Sequence, residues 1–160
     1  MPSPEAHIKQ VCGNLSFLNH INECCCSWDW QVTVSFYAAV HLVNSHLAQF
    51  DLHYRTHADV TNAINPENTL SVSKLPQEVY LSYKKLQGLS RRSRYLVHDD
   101  PANSSVDCFL TYDKHFIKAI KKLDILLDYF ITSQKFSIPP ISVKCIGLKI
   151  NDLKHLKVII

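Results

Sequence analysis

Three glycines in 160 residues leave this chain few places where a tight turn forms without steric conflict. A β-sandwich or barrel needs many such turns, so the count disfavours all-β architectures and points to long helices with few connections. Hydrophobic residues make up 46% of the chain and charged residues 19%, which is a globular balance rather than a disordered one. A chain of this length forms one domain that buries roughly two-thirds of its unfolded surface.

The apolar spacing carries the helical reading further. Ser3-Pro4-Glu5 opens a first helix, with serine as N-cap and proline at the first helical position. Ile8, Val11, Leu15, Leu18 and Cys25 follow at helical spacing. A second helix runs from after Ser27 to about Phe50, with Val32, Phe36, Ala39, Val43, Leu47 and Phe50 forming a long seam. Tyr37, His41 and Asn44 (or Ser45) make a separate polar and aromatic stripe on that helix. Such a helix is expected to be central, with its second face lining a groove or an interface.

Thr56 and Asp59 resemble a capping box for a short helix over 57–64, closed by Asn65-Pro66-Glu67-Asn68. Pro76 opens a helix through about Val97, with Val79, Tyr83, Leu86, Ser90 and Ser93 inward and a basic outer side of Lys84, Lys85, Arg91, Arg92 and Arg94. Asp99-Asp100-Pro101 stops it, and a loop over 99–107 ends at Asp107, a good N-cap. The last long helix is expected over about 108–133, burying Phe109, Phe116, Ile120, Leu123, Leu127 and Phe130. Its Lys118, Lys121, Lys122 and Asp128 are read as solvated.

After Ile138-Pro139-Pro140 the character changes. Val143, Cys145, Leu148 and Ile150 suggest short extended pieces, and Lys154-His155-Leu156 a turn of helix. The expected fold is therefore all-α: an up-and-down bundle of four long helices with one short inserted helix over 1–135, and an irregular extension over 136–160. Whether that extension docks on the bundle or pairs with a partner stays open.

The formal charge of +3, from 17 Lys+Arg against 14 Asp+Glu, is too small to imply a nucleic-acid partner, so the location of the charge matters more. No stretch reaches the ~18 apolar residues of a membrane span, and MPSPEAHIKQ does not read as a secretory signal, so a soluble, cytoplasmic protein is expected. The six cysteines, three of them the run Cys24-Cys25-Cys26, do not form a framework of spaced pairs and are read as reduced thiols.

Three constellations bear chemistry. Arg91, Tyr95 and His98 fall at i, i+4 and i+7 on one helical stripe, with Arg94 alongside. Guanidinium forks suit phosphate, a tyrosine face suits a base, and histidine moves protons near neutral pH. The plainer alternative is a solvated basic face ending in a capping histidine. Tyr37, His41 and Asn44 form the second, with a hydrogen-bonded core histidine as its alternative. His53 and His57, with His46 upstream, form the third, but lack further ligands at zinc spacing, so no metal and no cofactor is expected. There is no Gly-rich phosphate loop, nucleophile elbow or inward carboxylate pair.

The stretch from Trp30 to Ala48, containing Phe36-Tyr37-Ala38-Ala39-Val40-His41, resembles the second helix of small prokaryotic HEPN-domain proteins. There a Phe-Tyr-Ala-Ala-Leu-His pattern precedes a short histidine-containing loop, here His53-Tyr54-Arg55-Thr56-His57. Leu75-Pro76, Tyr80 or Tyr83, and Leu86 to Tyr95 resemble that group's next helix, with its Ser-x-x-Ala-Arg-Tyr-like end. The resemblance spans roughly residues 28–97. It implies a helical bundle that dimerises, in toxin–antitoxin, defence or nucleotide-transfer settings. Many members are metal-independent ribonucleases with an Arg, four to six residues, then His, a pattern met by Arg91 or Arg92 with His98. On that resemblance Arg91, Arg92 and His98 are the candidate catalytic residues. Tyr37, His41, His57, Arg94 and Tyr95 are the candidate RNA- or nucleotide-binding ones. The second function left open is a non-catalytic dimerisation or nucleotide-binding module that partners a nucleotidyltransferase-like antitoxin.

Overall fold

The computed structural model describes residues 2–24, 27–95 and 110–159. Five helices follow one another: α1 (Pro4–Glu23), α2 (Trp28–Ala48), α3 (His57–Ala63), α4 (Gln77–Tyr95) and α5 (Asp113–Thr132). Four are long and one is short, as the apolar spacing predicts. Strands β1 (Ser142–Lys144) and β2 (Lys157–Ile159) pair in parallel in the C-terminal segment.

α2 packs against α1, α4 and α5, and fifteen of its 21 residues are buried. A helix covered nearly all round is the centre of a bundle. Val32, Phe36, Ala39, Val43 and Leu47 are wholly enclosed, while Phe50 lies beyond the helix end and is exposed. Several polar groups on this helix find partners. Ser35 Oγ donates to the Gln31 carbonyl at 2.7 Å, and Ser45 Oγ to the Pro4 carbonyl at 3.0 Å. His46 is a core histidine whose Nε2–H donates to the Ser73 carbonyl at 3.1 Å.

The expected caps form. Ser3 Oγ accepts from the Ala6 N–H at 3.2 Å, and Thr56 Oγ1 from the Asp59 N–H at 3.1 Å. The helix junctions use residues other than glycine in the left-handed region: Ser27 (φ 48°), Asp51 (φ 57°) and Lys135 (φ 59°).

Two expectations about helix extent require correction. The last helix starts at Asp113 rather than near 108, because Tyr112 is extended and its N–H donates to His115 Nδ1 at 2.9 Å, fixing the helix start there. Lys154-His155-Leu156 is not a helical turn. Its three backbone N–H groups all donate to the buried Asp124 carboxylate on α5, at 2.7, 2.9 and 2.9 Å, so none points back along a helix.

That carboxylate also answers the question of the extension, which docks on the bundle. Asn22 of α1 brackets Lys144, donating to its carbonyl at 3.0 Å and accepting from its N–H at 2.6 Å. Val143, Cys145, Leu148, Leu156 and Val158 join the same core as the helices. Ile150, expected in an extended piece, instead lies in an exposed turn. The described thiols Cys12 and Cys145 are free. Among the described residues no helix is long and apolar enough to cross a membrane.

Candidate functional site

The inward phase of α4 decides what its other side can do. Val79, Tyr83, Leu86, Ser90 and Ser93 are buried, which turns Lys84, Arg91 and Arg94 outward toward α3. Between the two helices lies an open groove of about 940 Å³. His57, Asn62 and Asn65 line one wall, and Tyr80, Lys84, Arg91, Arg94 and Tyr95 the other. Four of the candidate residues, His57, Arg91, Arg94 and Tyr95, thus share one concavity.

Arg94 is its organising group. The guanidinium lies 5.1 Å from the Tyr95 ring centroid and 6.0 Å from that of Tyr37, while its Nε–H donates to the Ser90 carbonyl at 3.4 Å. These contacts constrain the guanidinium, which stays on an exposed residue. Among the described residues, no carboxylate pairs with Lys84, Arg91 or Arg94. Tyr95 is 62% exposed and Tyr37 41% exposed, so both rings keep open faces.

His57 opens α3 with its ring 5.3 Å from Phe36. Burial and, after it, the charge of Arg94 hold the imidazole below its ordinary value of 6.5, keeping it neutral near pH 7. A neutral ring beside a fixed cation is a proton acceptor next to an anion-stabilising group.

His41 lies one turn beyond Tyr37 on α2 and behaves differently. Its Nδ1 is 3.1 Å from Nδ1 of His7 on α1, with ring centroids 5.4 Å apart. His7, His53, Asn44, Tyr54 and Arg55 lie around a second cavity of about 430 Å³. His53 and His57, considered together as a metal pair in the sequence, therefore face different cavities. Among the described residues no group of three or more His, Cys, Asp or Glu side chains is placed to hold a metal ion.

Arg92 departs from the expected basic outer side. Adjacent helical residues are separated by about 100°, so Arg91 and Arg92 cannot share a face. Arg92 is half-buried toward α5, where its charge acts on His115. His98, the remaining candidate catalytic residue, lies outside the described residues, as does the loop over 99–107. Sequence reasoning missed His7 as the partner of His41, and the contribution of Asn62 and Asn65 to the groove.

The chain matches no family model, no curated protein and no solved structure.

Proposed function

We propose that this chain is an HEPN-like RNA- or nucleotide-binding protein whose ligand lies in the groove between α3 and α4. The observation that carries this reading is Arg94, held between two tyrosine rings with no carboxylate partner among the described residues. Arg91, Arg94 and Lys84 supply charge for phosphates, and Tyr95 in the groove and Tyr37 beside Arg94 supply faces for bases. Sequence tolerance follows, because every base has a π-face and every nucleotide a phosphate.

A second reading, metal-independent cleavage of RNA, is favoured by the neutral His57 beside Arg94. His57 takes the 2′-OH proton as the 2′-oxygen bonds to phosphorus and the P–O5′ bond breaks. Arg94 neutralises charge on the phosphorus oxygens, and water protonates the leaving 5′-oxygen.

Binding of a fluorescent single-stranded RNA across a salt series tests the first reading. Arg94→Ala is expected to weaken affinity about tenfold and to lower the salt slope by about 0.7, the share of one phosphate contact on a single strand. Equal affinity and slope for both proteins would remove the groove as the site. Incubating total RNA with the protein in EDTA tests the second. Cleavage that survives in Arg94→Ala at reduced rate but falls about 10²-fold or more in His57→Ala supports it. Cleavage independent of His57 would sink it.

A further inference from the structure

Outside the groove, the densest cluster of titratable side chains is the one around His7. It is contributed by three separate elements. α1 supplies His7, α2 supplies His41 and Asn44, and the loop before α3 supplies His53, Tyr54 and Arg55. His7, Asn44, His53, Tyr54 and Arg55 line a cavity of about 430 Å³, large enough for a phosphate group with part of what it is attached to, and His41 reaches it through His7.

The His7–His41 contact is informative about protons. Two Nδ1 atoms at 3.1 Å share one hydrogen, so one ring donates and the other accepts. A first added proton goes to Nε2 of the donating ring and leaves the hydrogen bond intact, now charge-assisted. A second would place a hydrogen on the accepting Nδ1 and break it. The pair therefore takes up one proton with its contact kept, and a second only by breaking that contact.

The surrounding charges are cationic. His53 bears on His7, and His7 on His41. Arg55 lines the same cavity, and Arg94 lies against Tyr37 farther along the α2 stripe. Among the described residues no carboxylate bonds to either ring; Glu5, on α1 itself, is exposed and is held by Ser3 instead. An anion is the missing counter-charge.

We infer that the His7–Asn44–Arg55 cavity is a second anion site, for a phosphate group, in which the His7–His41 pair gains one proton as the ligand binds. Arg55 and protonated His7 would hold the phosphate oxygens, Asn44 would donate a further hydrogen bond, and Tyr54 would cover the attached group. This site does not depend on the groove between α3 and α4.

Sulfate is the probe, because it stays a dianion over about pH 5 to 8 while the imidazoles titrate. Imidazole nitrogen NMR should show the His7 and His41 titration moving to higher pH when sulfate is added. Sulfate affinity should rise by up to about tenfold per unit fall in pH within that window, the dependence of one linked proton. Arg55→Ala, an exposed position, should abolish the movement, His7→Gln should flatten the pH dependence, and Arg94→Ala should leave both in place. An unmoved titration, or movement that persists in Arg55→Ala, overturns the assignment. Competition against sulfate by a nucleoside 5′-monophosphate or by a dinucleotide then separates a monoester from a diester ligand. Failure of both to compete overturns the phosphate assignment.

Discussion

The α5 side and the α4 side of this bundle both carry charge, and they treat it differently. On the α5 side several charges meet charge or backbone. Asp124 accepts three N–H groups, Lys154 pairs with Asp128 at 2.6 Å, and Lys121 approaches Asp152 at 3.9 Å. On the α4 side, Lys84, Arg91 and Arg94 face a groove with no carboxylate partner among the described residues, and tyrosine rings stand where acids would. On the proposed reading, the charges on the α4 side are left for something outside the chain. On that reading the contrast separates charge that holds the fold from charge that meets a ligand.

The strongest way to break that contrast is Asp124→Ala. It strips three backbone N–H groups of a buried acceptor, and each such loss costs about 1–3 kcal/mol. Urea unfolding should show a loss of about 3 kcal/mol or more, and limited proteolysis should cut the segment after 136 first. A variant as stable as the parent would mean that the clasp is not what holds the extension.

The next effect is cumulative and concerns pH. His7, His41, His46, His57 and His115 are all held below their ordinary value of 6.5, in each case chiefly by burial. As pH falls below 6.5 the unfolded chain binds protons at these rings before the folded chain does, so stability falls. The loss continues until pH passes the lowered folded values. His115 adds a specific contact, because protonating Nδ1 removes the acceptor for the Tyr112 N–H at the start of α5. The unfolding midpoint in urea should be level above about pH 7 and decline below 6.5, ahead of the carboxylates that titrate near 4. A midpoint flat down to about pH 5 would contradict it.

These contacts also mark what could and could not be read from the chain. The apolar seams were legible because each lies within one helix, where spacing fixes the face: Val32 to Leu47, Val79 to Leu86, and Phe116 to Phe130. The start of α5 was not, since Phe109 continues the apolar period and the signal that ends it, a tyrosine N–H on a histidine ring, is no standard cap. Asp124 was legible only as an acid interrupting Leu123, Leu126 and Leu127, without its partners some thirty residues on. For the candidate site, Arg91, Arg94 and Tyr95 share a face by spacing, and His57 joins them only through tertiary packing. His7 and His41 are 34 residues apart, on helices whose relative register spacing within either one does not fix.

A smaller effect sharpens the comparison directly. Arg91→Ala in the groove and Lys121→Ala on the paired side each remove one exposed cation. On the proposed reading, Arg91→Ala should weaken RNA about three- to tenfold and reduce the salt slope, whereas Lys121→Ala should stay within about twofold. Matching losses from both would mean that RNA sees only net charge, and the groove would lose its claim.

The smallest effect separates the two kinds of tyrosine. Tyr95 in the groove and Tyr37 beside Arg94 offer open faces, while Tyr83 is wholly enclosed with its ring 5.7 Å from Phe36. Its hydroxyl has no hydrogen-bond partner among the described residues, and burial alone pushes its pKa well above the ordinary 10. A polar group buried without a partner opposes folding, so removing the oxygen while keeping the ring should be neutral or favourable. Tyr83→Phe is therefore expected to change stability by between zero and about 1 kcal/mol in the favourable direction, and to leave RNA affinity unchanged. A loss of more than about 1 kcal/mol would mean that the hydroxyl has a partner within the fold. A change in RNA affinity at constant stability would instead join Tyr83 to the groove, and the division between structural and ligand-facing aromatics on α4 would have to be redrawn.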